Sequence, residues 1–297
     1  MEQHIKAEHH SAILKEANMN ENPEQQTPET CSHNCGSCSS SCGERTEPQK
    51  LSPNAVSNIT KVIGVVSGKG GVGKTLVTCL LASELQKAGK RVGIMDADVT
   101  GPSIPKAFGV KGPLRADANG LNPGETESGI KMISTNLMLP QEDMAVAWRG
   151  PVVSGIISQF FNEVNWGELD YLLVDMPPGT SDVLLTVFQQ IPLDGIVTVS
   201  APQELVAMIV GKAVNLAHDM NVDVLALVEN MAYFECDECN KKHYIFGEPQ
   251  GAEVAKRYDI ASYATLPMDP AIAALVDAGE VERYDVKGAL KPVLEVL

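Results

Sequence analysis

The stretch Gly68-Lys69-Gly70-Gly71-Val72-Gly73-Lys74-Thr75 follows directly on the apolar run Val62-Ile63-Gly64-Val65-Val66 and runs directly into an apolar-periodic segment that opens at Leu76. A buried strand, a glycine-rich turn and a helix start in that order describe a phosphate-binding loop. Glycines let the backbone curl so that successive N–H groups face phosphate oxygens, and the helix start adds partial positive charge. Lys74 supplies a point charge for the β- and γ-phosphates, and the Thr75 hydroxyl is placed to join a magnesium shell. All eight residues, Gly68 to Thr75, are therefore candidate nucleotide contacts.

Beyond the loop, aliphatic runs at 62–66, 91–95, 131–134, 171–175, 195–199, 223–229 and 262–266 alternate with amphipathic stretches. Such alternation predicts parallel strands with helical crossovers: an α/β, doubly wound, mostly parallel sheet of the P-loop NTPase kind. Ligands in such sheets sit beyond the carboxyl ends of the strands. Two strands close on acids there. The run 91–95 leads into Asp96-Ala97-Asp98, and Tyr171 to Val174 lead into Asp175-Met176-Pro177-Pro178-Gly179. Asp175 has the setting of a Walker B magnesium acid. Asp96 and Asp98 compete for the roles of magnesium-side acid and orienter of the attacking water, the plain alternative being that either one caps the next turn. No Asn-Lys-x-Asp segment for guanine is found, since Asn240-Lys241-Lys242 is followed by His243, so adenine is the expected base and ATP the expected nucleotide. Asn230, Pro267 and Asp269, at the ends of the last two strands, are placed to meet it, or serve as turn residues.

Bulk composition agrees with one α/β body preceded by an arm. The 297 residues are 44% apolar, ordinary for a globular chain, and no run is long enough to span a bilayer. The opening residues lack the apolar core of a signal peptide, which points to the cytoplasm. A formal charge of −15 argues against nucleic acid and anionic membrane as partners. Residues 1–57 have few aliphatics and scattered prolines and read as a mobile arm ahead of a domain over 58–297. Seven cysteines in a reducing compartment are thiolate ligands or buried thiols rather than disulfides.

Six of those cysteines are clustered. Cys236 and Cys239 stand in Tyr233-Phe-Glu-Cys-Asp-Glu-Cys-Asn240, where a tight turn brings two thiolates together. A tetrahedral zinc or a four-iron cluster wants four sulfurs, and a two-fold dimer would supply the missing pair. A redox dithiol, or zinc completed by His243, competes with that reading. In the arm, Cys31, Cys35, Cys38 and Cys42 form a C-x3-C-x2-C-x3-C array that suits an iron–sulfur cubane, with zinc, helped by His9, His10 and His33, as the rival. Cys79 falls within the helix after the loop and reads as a buried, inert thiol.

The loop with its extra lysine, Lys69, resembles the deviant Walker A group, whose relatives include MinD, ParA, the arsenite ATPase and the nitrogenase iron protein. Asp96-Ala-Asp-Val-Thr-Gly-Pro-Ser-Ile-Pro105, Trp148-Arg-Gly-Pro151, Trp166-Gly-Glu-Leu-Asp-Tyr171, Asp175-Met-Pro-Pro-Gly-Thr180 and Asn230-Met-Ala-Tyr-Phe234 with the following Cys-x-x-Cys look like the Mrp/ApbC family of iron–sulfur cluster carriers, in family order from about Lys61 to Asp285. The resemblance implies a parallel-sheet ATPase that forms a homodimer around ATP and Mg2+, with Lys69 reaching the partner's phosphates and Asp98 near the hydrolytic water. It further implies an iron–sulfur cluster, 4Fe-4S in kind, bridged by Cys236 and Cys239 and delivered to apoproteins. One departure is that Asp237 stands where the family commonly has proline. A positioning ATPase of the MinD or ParA kind would need a basic tail, yet residues 271–297 hold Asp277, Glu280, Glu282, Asp285 and Glu295 against three basic residues. A zinc-stabilised adaptor whose nucleotide serves folding alone would be told apart by its lack of turnover.

Overall fold

In the computed structural model, which describes residues 50–99, 101–139, 150–179, 182–202 and 206–297, the predicted strands assemble into one sheet. The strands are β1 (Asn58–Ser67), β2 (Val92–Asp96), β3 (Ala116–Asp117), β4 (Gly120–Leu121), β5 (Gly124–Glu125), β6 (Lys131–Ile133), β7 (Glu168–Asp175), β8 (Gly195–Ser200), β9 (Val224–Glu229), β10 (Phe234–Glu235), β11 (Lys242–His243) and β12 (Ser262–Thr265). Eight of them pair in the order β12-β9-β8-β1-β7-β2-β6-β5, parallel throughout except for the edge strand β5. Two small antiparallel ribbons, β3 with β4 and β10 with β11, stand apart from it. The crossover helices are α1 (Lys74–Lys87), α2 (Ile104–Ala107), α3 (Gly150–Asn162), α4 (Asp182–Gln190), α5 (Val206–Asp219), α6 (Gly251–Arg257), α7 (Pro270–Ala278) and α8 (Lys291–Leu294).

The sheet is buried on both faces, which is why its strands read as unbroken apolar runs rather than alternating ones. Strand β1 makes the point by itself. Ile63 and Val65 enter a core shared with Val77, Leu80 and Leu81 of α1, Ile272 of α7 and Val293 of α8, whereas Val62 and Val66 enter the opposite core with Phe160 and Phe161 of α3 and Phe188 of α4. Trp166 is fully buried in the second core, and its indole N–H donates to the Phe160 carbonyl at 3.1 Å. A third, smaller core joins α5 to α6 through Val206, Val210, Val254 and Ala255. With every long strand parallel, all their carboxyl ends lie along one edge, so the phosphate loop after β1 and the acids ending β2 and β7 share a neighbourhood.

Residues 50–57, which composition groups with the arm, are bonded to this body. The Leu51 N–H donates to the Gln190 carbonyl at 2.8 Å, Asn54 Nδ2 reaches Asn165 Oδ1 at 3.0 Å, and Ser57 Oγ takes the Trp166 N–H at 2.9 Å. Leu51 also packs on the second core. Compared with a chain beginning at Lys50, one beginning at Asn58 should lose about 2 kcal/mol in denaturant unfolding, from the lost apolar contact of Leu51 and the lost hydrogen bonds of Leu51, Asn54 and Ser57. Superimposable unfolding curves would show those bonds to be inconsequential.

Candidate functional site

The loop Gly68–Gly73 leaves β1 and turns into α1, whose N-cap is Gly73 at φ +81°. Gly73 has two reasons to be glycine. Its backbone lies in the left-handed region, and a Cβ there would stand 2.2 Å from Asn230 Nδ2. That same amide donates to the Val72 carbonyl at 3.0 Å, so Asn230 braces the loop from behind while buried to 1% exposure. Gly71 is left-handed as well, with open space around it.

Behind the loop sits a cluster of buried charge. Asp96 and Asp175 are register partners on β2 and β7, at 1% and 0% exposure. Lys74, the first residue of α1, places Nζ 2.7 Å from Asp175 Oδ1 and 3.9 Å from Asp98 Oδ2. Two α1 hydroxyls donate to the same carboxylate, Thr75 to Oδ2 and Thr78 to Oδ1, both at 2.7 Å. Asp96 accepts from Ser134 Oγ at 3.0 Å and from the Asp98 N–H at 3.2 Å. Burial, and then the neighbouring Asp175 charge, push the Asp96 carboxyl up to about 8. Asp98 lies on the open side of the cluster, its side chain 18% exposed. The segment after β7 is tied back to the loop's root, with Gly179 N–H donating to the Ser67 carbonyl at 3.0 Å. Lys69 is half-buried on the loop itself. Cys79 is buried in α1, and burial with the Asp175 and Asp96 charges pushes its thiol well up, as an inert thiol requires.

Sequence reading missed Thr78 and Ser134. Thr78 was legible in principle, one turn after Thr75 on the same helix face; Ser134 follows β6 at the ligand-bearing sheet edge, where any polar residue is a candidate.

Beside the loop lies a cavity of about 310 Å³ lined by Leu76, Asn230, Met231, Pro267, Met268 and Asp269 on one side and Ile272, Ala273 and Val276 of α7 on the other. Its walls are mostly apolar, as suits a planar base. The three residues predicted to meet the base all line it, but Asp269 is engaged elsewhere: Oδ1 caps α7 at the Ala271 N–H (2.8 Å) and Oδ2 accepts from Tyr284 at 2.9 Å. Glu229, just before Asn230, is likewise fully buried, and accepts from Gly251 N–H at 2.8 Å and Tyr263 hydroxyl at 2.6 Å to hold α6 to the sheet.

The chain from Asn230 runs on into the cysteine ribbon. Ala232 N–H donates to the Leu266 carbonyl at 2.9 Å and Met268 N–H to the Tyr233 carbonyl at 2.7 Å, after which β10 and β11 enclose Cys236 and Cys239 in their turn. The turn closes through Asn240 N–H on the Cys236 carbonyl at 2.8 Å, with Asn240 left-handed at φ 55°. Backbone N–H groups of Cys239 and Glu238 lower the Cys236 thiol below its ordinary range, and Asp237 opposes them. Among the described residues no three His, Cys, Asp or Glu side chains converge as a metal site. Cys31, Cys35, Cys38 and Cys42 lie outside the described residues, as do Trp148, Arg149 and Thr180.

Residues 58–295 match the family model described as ParA, NUBPL iron-transfer P-loop NTPase. The iron–sulfur cluster carrier protein of Clostridium perfringens is 47% identical over 264 residues, covering 86% of this chain and 90% of the relative. The protein of the same name from Saccharolobus solfataricus is 46% identical over 225 residues, 75% of this chain and 76% of its own. Among solved structures, a nucleotide-binding protein of Archaeoglobus fulgidus in complex with ADP superimposes with a TM-score of 0.70 at 46% identity, over 76% of this chain and 89% of that one. The cell division ATPase MinD of Pyrococcus furiosus, 20% identical with a TM-score of 0.58 over 80% of this chain and 97% of its own, shares the fold.

The buried acid pair carries a pH signature. An unfolded Asp96 loses its proton near pH 4, whereas the folded one keeps it to about 8, so this group's contribution to stability is full below pH 4 and drains away as pH rises towards 8. Asp96→Asn stays neutral throughout. In denaturant unfolding of the nucleotide-free protein, the variant should gain on the wild type by at least ~1 kcal/mol between pH 5 and pH 8. Parallel pH profiles would place the charge elsewhere.

Proposed function

This chain belongs to the ParA/NUBPL iron-transfer P-loop NTPase family, and from that premise we propose that it is a cytoplasmic iron–sulfur cluster carrier in which ATP binding and hydrolysis switch a homodimer. The observation that carries the reading is the continuity of one segment. Asn230 braces the phosphate loop, and six residues later the same backbone presents Cys236.

The chemistry assigned to each residue follows from its place. Loop N–H groups from Gly68 to Lys74 and the α1 start bind phosphate oxygens. Lys74 exchanges its Asp175 partner for phosphate, since the pair at 2.7 Å is what an incoming anion competes with. Thr75, Asp175 and Asp96 offer the hard oxygen donors that suit Mg2+, which would neutralise charge on the phosphates. Asp98, within 3.9 Å of Lys74 and on the open side, orients the attacking water. Lys69 reaches the partner subunit's phosphates. The segment Asp175–Gly179, tied to Ser67, moves with the occupancy of the loop and relays it.

Cys236 and Cys239 supply two thiolates, and a four-sulfur shell is completed by the same pair of a second copy around one 4Fe-4S cluster, the cargo handed to apoproteins. The segment ahead of Lys50 holds a second, separate cluster on Cys31, Cys35, Cys38 and Cys42.

Two experiments test this. Lys74→Ala should reduce ATP turnover at least 100-fold, and Asp98→Asn should slow hydrolysis roughly 10–100-fold while leaving ATP binding within about threefold. Wild-type turnover in Lys74→Ala would refute the ATPase reading. In anaerobically reconstituted protein, Cys236→Ser/Cys239→Ser should remove about half a cluster of iron and sulfide per chain and leave ATP hydrolysis in place. Full iron content in that variant would refute the bridge, and zinc in place of iron would establish the adaptor reading.

A further inference from the structure

Among the described residues that line the cavity beside the phosphate loop, Asp269 is the one that carries a charge. An ionised carboxylate only accepts hydrogen bonds, so a free one at that wall would select a base edge made of donors. Guanine has such an edge, with N1–H and the N2 amino group side by side. Adenine instead sets an acceptor, N1, beside its N6 amino group. In this chain the carboxylate is not free. Oδ1 accepts from the Ala271 N–H at 2.8 Å as the cap of α7, and Oδ2 accepts from the Tyr284 hydroxyl at 2.9 Å. The cap comes with the helix start, whereas the tyrosine arrives from 15 residues further along the chain and is held there by bonds of its own. Its ring is buried in the core shared with α1, its N–H donates to the Val281 carbonyl at 3.1 Å, and its carbonyl accepts from Lys87 Nζ at 2.9 Å. Burial, and then the bond to Asp269, push the phenol upward from its ordinary range, so it remains a donor wherever the carboxylate is charged.

We infer that Tyr284 is a positioning residue for base selection: by engaging Asp269 Oδ2 it withholds the carboxylate from the guanine edge and leaves the cavity to adenine. The inference rests on the ATP reading above and extends it, from a chain that lacks the guanine motif to a side chain that keeps a nearby carboxylate from serving in its place. Three features support it. First, Tyr284 does not line the base cavity. It lines a neighbouring one of about 320 Å³ that shares the wall Pro267-Met268-Asp269, so its route to the base runs through Asp269. Second, two fixed donors on two oxygens prevent the carboxylate from pivoting, whereas with the Ala271 N–H as its partner on Oδ1 alone it turns about that bond and offers Oδ2 to the cavity. Third, Asn230, the amide in the same wall, has its Nδ2 committed to the Val72 carbonyl at 3.0 Å, which leaves Asp269 as the group on which base choice turns. A buried polar group that meets or fails to meet its match on a ligand discriminates by large factors, so selection at this wall is sensitive to the single bond from Tyr284.

The test is nucleotide binding by the full chain in Mg2+, with ATP and GTP titrated separately by calorimetry. Wild type should favour ATP. Tyr284→Phe keeps the ring in the core and removes the hydroxyl, so it should hold ATP affinity within about threefold and shift the ratio of the two dissociation constants at least ~5-fold towards GTP. Tyr284→Leu lacks the hydroxyl as well and should give the same shift, so the result does not depend on how one variant folds. Asp269→Asn/Tyr284→Phe keeps the helix cap through the amide oxygen but sets a donor where the second carboxylate oxygen stood, and should return the ratio to within about twofold of wild type. An equal loss for both nucleotides in Tyr284→Phe, the mark of a merely structural role, overturns the inference, as does an unchanged ratio or a wild type that binds both equally. A gain for GTP that survives in the double variant overturns it too, because the carboxylate would not be its source. A wild type that binds neither nucleotide removes the ATP reading and the inference with it; an ATP-selective wild type with an indifferent Tyr284→Phe removes the inference and keeps that reading.

Discussion

One lysine set among carboxylates at the end of a parallel sheet is the constraint from which the rest of the site follows. Parallel register makes Asp96 and Asp175 neighbours, and burial on both sheet faces removes the water that would otherwise separate their charges. Lys74 answers Asp175 directly, two threonines complete its hydrogen bonds, and Asp96 avoids the second charge by holding its proton. Buried ion pairs of this kind at best break even in folding free energy against well-packed apolar residues. Their arrangement makes sense as preparation for the ligands of the function proposed above, in which phosphate would take Lys74 and a divalent cation would take the carboxylates, each relieving the other's former partner.

That constraint extends outward through contacts on both sides of the loop. Gly73 must lack a side chain because Asn230 presses against it, and Asn230 follows the strand end at Glu229, whose carboxylate takes the Gly251 N–H of α6 and the Tyr263 hydroxyl of β12. From Asn230 the backbone is bonded successively to Leu266 and to Met268, the second of which lines the cavity beside the loop, before it reaches the cysteine turn. The brace on the loop, part of the cavity wall and the two cysteines thus belong to one stretch of chain between Asn230 and Cys239. A ligand that draws the loop or the base wall into a new position has different contacts in the two states, the requirement for a shift in population to be felt at the cysteines.

Local signals were legible in the sequence, and pairings across distance were not. Strands declared themselves because a doubly covered sheet needs unbroken apolar runs, and the acids closing two of them marked the ligand edge. The loop declared itself through glycines whose φ values no other residue adopts easily. By contrast Thr78 and Ser134 are ordinary helix and loop residues until register puts them against Asp175 and Asp96. Asn230 and Asp269 were legible by position yet not by function: one amide is spent on the Val72 carbonyl, and one carboxylate on a helix cap and a tyrosine. The two-residue strands β3, β4, β5, β10 and β11 are too short for any period to show. Residues 50–57 have few aliphatics yet are held to the body by Leu51 packing and by backbone and amide hydrogen bonds, a kind of attachment that composition does not register.

The cysteine turn repeats the electrostatic logic of the phosphate site in miniature. Backbone N–H groups favour the Cys236 thiolate, while Asp237 works against it. A proline there would fix φ and stiffen the turn; an aspartate leaves the backbone freer and adds a like charge beside two sulfurs. Both effects work against an electron-rich cluster in the function proposed above; Lys242, on the same ribbon, stands 3.9 Å over the Tyr233 ring. For a permanent cofactor site that balance would be a defect. In the carrier function proposed above, whose cargo must leave as readily as it arrives, a turn that gathers two thiols and sets Asp237 and Glu238 between them favours release.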